Sequence, residues 1–374
     1  MKGWSPRPLD HGDLERVTRI ELALPTWKDG ALPLCNTRLL FKYTTVLYLS
    51  QMSIFISIAS YEDPLLIETI KDALDKADYP DQLVFGLGLQ YYNEPDISFL
   101  SDTQKRVLCW NPDSRPGVIR IRKMIRDLCK EDFFLQIDAH TTFKEGWDSG
   151  LISDLLSIQT QENNPNIILS KQPTESRDSF ISEVGIPSKF IQNNFKNENF
   201  IHKFLFVPPT EHKKGSEKFV KTFGLSAGYI FADKNWVKNV PYDQYTHAIG
   251  EERYLSWLTY MYGWDVYGNF ENDYVFHNQT AVDKLFSNMD IKRFDKHGNK
   301  SFSSDKYEDR HTTSYEMSLA LIYNDYSKYA VKNPKRNTRD FFIEIGLGDL
   351  YQSEKERYDR LIKNEYSEDE NPKY

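Results

Sequence analysis

Ser53–Leu89 reads SIFISIASYEDPLLIETIKDALDKADYPDQLVFGLGL, and this stretch decides the fold class. Ser53–Ala59 is apolar and rich in β-formers, which predicts a buried strand. The run Tyr61-Glu62-Asp63-Pro64 breaks it. Leu66, Ile70, Ala73, Leu74 and Ala77 then recur at helical spacing, predicting a helix over Leu65–Ala77. Asp63 is placed to cap that helix, with Pro64 at its first position. Leu83–Leu89 is a second buried strand. Strand, helix and strand form a β-α-β unit, the start of a parallel sheet covered by helices.

Working outward, the pattern predicts an irregular Asn93–Pro116. A helix follows over Val118–Cys129, with Ile121, Ile125 and Leu128 on one face. A third strand spans Phe133–Ile137 and ends at Asp138. A helix covers Trp147–Gln159, and the polar Asn163–Asn199 reads as loops with short elements. Further strands are expected at Phe200–Val207, Gly224–Ala232 and Asp273–Phe276, and a helix at Gly250–Tyr262. Beyond Thr280 the chain is more charged and reads as loosely packed, with a helix near Thr313–Lys328. The division expected is an extension over 1–51, a main domain over 52–280 and a C-terminal helical or irregular region over 281–374.

Composition narrows the function classes. The chain has 374 residues, 40% hydrophobic and 27% charged, which supports a packed core and excludes wholesale disorder. A net charge of -8 argues against a nucleic-acid binder that works through a broad basic surface. Aromatic residues make up 14% of the chain, which suits a large core or a sugar-facing cleft and does not separate the two. Cys35, Cys109 and Cys129 are scattered and lack CxxC spacing, so no disulfide framework or zinc knuckle follows. Leu39–Ser60 is the one stretch that resembles a membrane span. Lys42, Gln51 and many hydroxyl residues interrupt it, so no integral membrane segment is expected. Residues 14–38, LERVTRIELALPTWKDGALPLCNTR, resemble a reading frame extended through a neighbouring RNA gene. Met52 is therefore the expected start, and the scattered cysteines suit a reducing, cytoplasmic compartment.

The residues that carry chemistry cluster after predicted strands. Asp138-Ala139-His140 directly follows FFLQI, and ligands in open α/β sheets sit beyond the carboxyl ends of strands. In extended backbone, residues i and i+2 face the same side, so Asp138 and His140 could reach one ion. A carboxylate and an imidazole suit Mn²⁺. His277, after the DYVF run, is the best third ligand, although a lone histidine is more often a surface residue. Gly250-Glu251-Glu252 opens a helix, where acidic residues suit the dipole whether or not they bind a substrate. Arg115, Arg120 and Arg122 surround a Pro-Gly turn, and guanidinium matches phosphate bidentately. Arg120 and Arg122 do not share a helix face, so at most one of the two enters a site. Asp148 reads as a helix cap and Trp147 as core. Gly86 and Gly88 lie inside a strand and are not a dinucleotide fingerprint.

The ordered series SIASYEDPLLIETI, LGLQ, RPGVIRIR, FLQIDAHTTFKEGWD, LSAGYIFA, VPYD…GEERYLSW and GWDVYGNFENDYVFHN resembles a known family. It is similar to the GlcNAc-transferases of glycosyltransferase family sixty, which modify a hydroxyproline. More distantly it is similar to polypeptide N-acetylgalactosaminyltransferases. The resemblance covers Met52 to Asn278, with a weaker echo at RDFFIEIGL from Arg339. It implies a GT-A fold, Rossmann-like and α/β, with a mixed central sheet. It implies UDP-GlcNAc as donor, Mn²⁺ or another divalent cation as cofactor, and a protein or surface-glycan acceptor. By the same resemblance, Asp138, His140 and His277 would hold the metal. Ser60, Tyr61, Asp63 and Gln90 would lie near the uridine. Arg115 or Arg122 would face the donor phosphates or sugar, and Glu251 or Glu252 would hold the sugar or the acceptor. The family is retaining, which implies an α product. Where it commonly has Ser between the two metal ligands, this chain has Ala139, whose side chain is expected to point away from the ion.

Two other readings compete. A glycoside hydrolase would use paired carboxylates such as Asp148 and Glu251, and it has no need of the D-x-H placement. A non-catalytic sugar-binding or partner-binding module would have no need of metal ligands.

Overall fold

The computed structural model describes residues 50–114, 116–173, 183–184, 210–211, 218–242, 251–269, 271–278, 332–345 and 348–362. Within these the chain runs β1 (Ile54–Tyr61), α1 (Leu66–Asp75), β2 (Leu83–Gln90), β3 (Lys105–Trp110), α2 (Val118–Arg126), β4 (Phe133–Asp138), β5 (Thr141–Phe143), α3 (Trp147–Gln161) and β6 (Ile167–Ser170). It continues through β7 (Glu183–Val184), β8 (Thr210–Glu211), β9 (Phe219–Thr222), β10 (Tyr229–Asp233), α4 (Lys234–Asn239), α5 (Glu251–Met261), β11 (Asp265–Asn269), β12 (Val275–His277), α6 (Thr338–Glu344) and α7 (Gly348–Ile362).

The three apolar runs read from sequence become the centre of one eight-stranded sheet, ordered β3-β2-β1-β4-β10-β6-β11-β9. β1 pairs in parallel with both β2 and β4, while β10 runs antiparallel between β4 and β6. The sheet is therefore mixed, as expected of an α/β chain of this kind. The register sets Ala59 beside Gly88 and Asp138, so β1, β2 and β4 end at the same edge. β5 and β12 form a separate antiparallel pair, with Thr141 opposite His277.

One face of the sheet carries Phe55, Phe134, Ile230 and Ala232, and α2, α4, α5 and α6 bury their apolar residues on it. Gly86 and Gly88 let α2 settle closely on β2. A Cβ at Gly88 would sit 2.3 Å from a methyl of Ile121. Asp63 and Pro64 fall just outside α1, whose N-cap is Leu65 and not Asp63 as expected; Asp63 instead holds the turn ahead of the helix, accepting the Leu65 N–H at 2.9 Å. Trp147 is core, fully buried, and donates its indole N–H to Ala73 O.

Several elements differ from the sequence reading. β3 lies inside the stretch expected to be irregular, and β6 inside the one expected to be loops. β11, from Asp265, is a strand that the apolar pattern does not predict. The strand expected over Gly224–Ala232 is confined to β10, and the one over Asp273–Phe276 to β12. Residues 338–345 and Tyr351 are not loosely packed. Phe341, Phe342, Ile345 and Tyr351 are buried in the same core as α5. The Trp257 indole N–H donates to Thr338 Oγ1 and the Tyr260 hydroxyl to Glu344 Oε1. The strand expected at Phe200–Val207, the helix near Thr313–Lys328, and residues 1–49 lie outside the described residues. Among the described residues no helix is long and apolar enough to cross a membrane.

Candidate active site

Asp138 is the last residue of β4 and shares its pleat with Phe134 and Gln136, so it points to the face carrying α2 and α5. Ala139 and His140 form a turn and not extended backbone, which corrects the geometry assumed from sequence. Thr69 of α1 staples this turn. Its hydroxyl donates to Ala139 O and accepts the Thr141 N–H, both at 2.9 Å. Ala139 is buried. His277 arrives from the other side at the end of β12, where the Asn278 N–H donates to His140 O. The turn ahead of β12 is held by Asn269, whose Oδ1 accepts the Glu271 and Asn272 N–H groups, and by the buried ammonium of Lys171 on Asn269 O.

These elements bring Asp138, His140 and His277 together, with ligand atoms within 4.8 Å of one another. The two imidazole Nε2 atoms lie 2.8 Å apart, and His277 Nε2 is 3.3 Å from Asp138 Oδ2. Asp63 Oδ2 accepts from His140 Nδ1 at 2.8 Å. An ionised carboxylate only accepts, so the proton sits on Nδ1 and the Nε2 lone pair faces the cluster. One carboxylate and two imidazoles, one of them oriented by a second carboxylate, is a donor set that fits a divalent first-row metal ion.

Arg122 completes the wall. One terminal nitrogen donates to Asp138 Oδ1 at 2.7 Å, the other to Glu251 Oε2 at 2.6 Å. Burial opposes its charge, yet Glu251 and Asp138 outweigh that and raise its pKa. Burial likewise pushes the Asp138 carboxyl up, but the His277 hydrogen bond and the Arg122 charge hold it well below the usual carboxylate range. The Tyr242 hydroxyl donates to Glu251 Oε1. The Ala227 N–H donates to Glu252 Oε1 at 2.8 Å. A cavity of about 310 Å³ opens beside these groups, bounded by Val118, Arg122, Asp138, Gly228, Glu252 and His277 among others.

The other expected site residues divide. Ser60, Tyr61 and Gln90 stand at the ends of β1 and β2, on the edge where β4 ends. Ser60 is buried and hydrogen-bonded to the Tyr91 hydroxyl at 2.6 Å, whereas Tyr61 is 41% exposed. Arg120 is exposed and Arg122 buried, so only Arg122 enters, as the helix spacing required. Arg115 lies outside the described residues. Asp148 accepts the Asp78 and Tyr79 N–H groups, both at 2.8 Å, and takes no part in the cavity. That leaves the paired-carboxylate reading without one of its carboxylates. Sequence reasoning missed Tyr242, Gly228 and the link from Asp63 to His140. The only signal for Tyr242 was its place in the VPYD…GEE string.

The comparisons with known proteins follow the same line. No curated protein sequence matches the chain. Among solved structures, it is similar to GalNAc-T7 crystallised with UDP, GalNAc and Mn²⁺, at 12% identity and a TM-score of 0.44, covering 60% of this chain and 43% of that one. It is similar to S. aureus TarS at 11% identity and a TM-score of 0.39, covering 65% of this chain and 40% of TarS. TarS 1–349 in complex with UDP matches at 11% identity and a TM-score of 0.38, over 60% of each chain. The chain thus spans less than two thirds of each of these, and scores this low carry no weight for the site. The match to the family model "Glycosyltransferase (GlcNAc)" does carry weight. It runs over residues 121–348, well over half of the sequence, and the chain belongs to the GlcNAc glycosyltransferase family.

Proposed function

We propose that the protein is a metal-dependent, retaining glycosyltransferase of GT-A type. It would move N-acetylglucosamine from UDP-GlcNAc to a hydroxyl of a protein or surface-glycan acceptor. The observation that carries this reading is the convergence of Asp138, His140 and His277, 4.8 Å or less between ligand atoms, on the edge of a cavity in a chain of this family. A hydrolase acting through paired carboxylates has no use for such a set.

Asp138, His140 and His277 would hold a divalent cation, Mn²⁺ by ligand type. When bound, the ion neutralises charge that develops on a departing diphosphate. Asp63, hydrogen-bonded to His140 Nδ1, would keep that histidine in the ligating tautomer from its place near the expected uridine site. Ser60, Tyr61 and Gln90 would border the nucleoside at the adjacent strand ends. Arg122 stays protonated between two carboxylates and faces the cavity, where it would meet the donor sugar or its phosphates. Glu252, tied to the Ala227 N–H, would orient a sugar or acceptor hydroxyl. Retention is assigned by the family likeness. The acceptor hydroxyl would approach the face from which the diphosphate departs, passing its proton to a diphosphate oxygen.

A donor panel tests this. The protein is incubated with Mn²⁺ and UDP-GlcNAc, UDP-GalNAc or UDP-glucose, and UDP release is measured. Release is expected to be fastest with UDP-GlcNAc. Folded protein that releases no UDP from any donor, and shows no thermal shift with UDP and Mn²⁺, would sink the reading.

A further inference from the structure

Asp138 offers two oxygens, and the structure treats them differently. Oδ1 accepts from Arg122, and Oδ2 faces His277 and the bare backbone of Gly228. What holds Arg122 in place therefore decides which oxygen is presented to the histidines. Arg122 Nε is buried without a partner among the described residues, so its two terminal nitrogens carry its pairing. One of them rests on Glu251. Glu251 is 4% exposed, with one oxygen taken by Arg122 and the other by the Tyr242 hydroxyl. Its carboxylate is thus built into the wall of the cavity. Tyr242 is itself fixed. It is buried, and the Arg126 guanidinium lies 5.3 Å from its ring centroid. Arg126 is anchored in turn by Trp236 O at 3.0 Å and Val240 O at 2.7 Å.

We propose that Tyr242 and Glu251 are positioning residues that hold Arg122 against Asp138, so that Asp138 presents Oδ2 to His140 and His277. The inference rests on the metal reading above and deepens it. Neither residue belongs to the candidate ligand set; each acts on it through Arg122. A charged pair with fork geometry fixes orientation as well as adding energy, and a ligand displaced by about half an ångström no longer serves its site.

The test is an Mn²⁺ titration of the full chain, followed by the electron paramagnetic resonance of free Mn²⁺. It uses wild type, Tyr242→Phe, Arg122→Lys and the double variant, with thermal unfolding measured in parallel. Tyr242→Phe is expected to weaken Mn²⁺ binding about tenfold, the effect of losing one hydrogen bond to a charged acceptor. The double variant is expected to bind no worse than Arg122→Lys, because the hydroxyl acts only through the guanidinium. A purely structural role would give additive losses that follow the unfolding temperature. Additive losses, or wild-type binding by Tyr242→Phe, would overturn the inference and leave the metal reading standing. A wild type that binds no Mn²⁺ would overturn both. If Tyr242→Phe does not fold, Glu251→Gln in the same cycle with Arg122→Lys decides by the same criterion.

Discussion

Gly228 is the position where one added carbon interferes most directly with the site. It lies just before β10, beside the end of β4, and its φ lies outside the left-handed region, so alanine is sterically acceptable to the backbone. The added Cβ would lie 2.8 Å from Asp138 Oδ2 and 3.8 Å from Pro173 Cγ. Ordinary contact begins at 3.4 Å, so the oxygen must retreat by about 0.6 Å. Asp138 cannot swing freely, because Arg122 pins Oδ1 at 2.7 Å. Metal sites tolerate ligand displacements of about 0.2 Å, so the retreat exceeds that tolerance. We expect Gly228→Ala to lose about 10–100-fold in Mn²⁺ affinity, the scale of disturbing a ligand's immediate surroundings. The stability cost should stay at about 1–3 kcal/mol, as for overpacking by one carbon. Mn²⁺ titration and UDP release measure the first, and denaturant unfolding the second. Wild-type Mn²⁺ affinity in a folded Gly228→Ala protein would refute the placement of Asp138 Oδ2 as a ligand.

Asp63→Asn can offer an amide N–H to His140 and so favours the wrong tautomer. A loss of about 10–100-fold in Mn²⁺ affinity is expected by titration, and unchanged affinity would count against the orienting role. Glu131 accepts a fork from Arg106, at 2.7 and 2.5 Å. Burial pushes its carboxyl up, but Arg106 and the Lys130 N–H outweigh this and hold it below the usual range. Its folded pKa lies below its unfolded value of about 4.3, so its contribution is full above that value and is lost as pH falls through the folded one. Glu131→Gln should cost about 1–3 kcal/mol at neutral pH and converge on wild type in acid, read by unfolding at a series of pH values. Phe342→Ala removes a fully buried ring stacked 5.2 Å from Tyr351, and a loss of about 3–5 kcal/mol in denaturant unfolding is expected. A loss below about 1 kcal/mol would show that α6 is not part of the core.

The centre of the fold was legible because burial on both faces writes continuous apolar runs. SIFISIA, LVFGLGL and FFLQI each became a strand, at β1, β2 and β4. β3 was hidden because KRVLCW is an edge strand, nowhere fully buried, that opens on two charged residues. β6 is only four residues set among polar ones, and β11 contains Gly268 and Asn269, which weaken any strand signal. α6 was announced only by the RDFFIEIGL echo, since its paired phenylalanines sit in a charged context. At the site, Asp138 and His140 were legible from their place after a strand. The Asp63 link was not, because it joins residues 77 apart that only the sheet register brings together. Glu251 lines the cavity. Its two hydrogen bonds could not be read from the helix it opens, since one partner is Tyr242, nine residues earlier, and the other is Arg122 on a different helix.

The central claim is that this chain transfers a sugar from a nucleotide donor by means of a metal held on Asp138, His140 and His277. The most direct measurement is UDP release from UDP-GlcNAc by metal-stripped protein, before and after Mn²⁺ is restored, for wild type and His140→Ala. The account predicts that stripping abolishes release, that Mn²⁺ restores it in wild type, and that His140→Ala stays inactive at the same Mn²⁺ concentration. Undiminished release by metal-stripped wild type, or full rescue of folded His140→Ala, would contradict it.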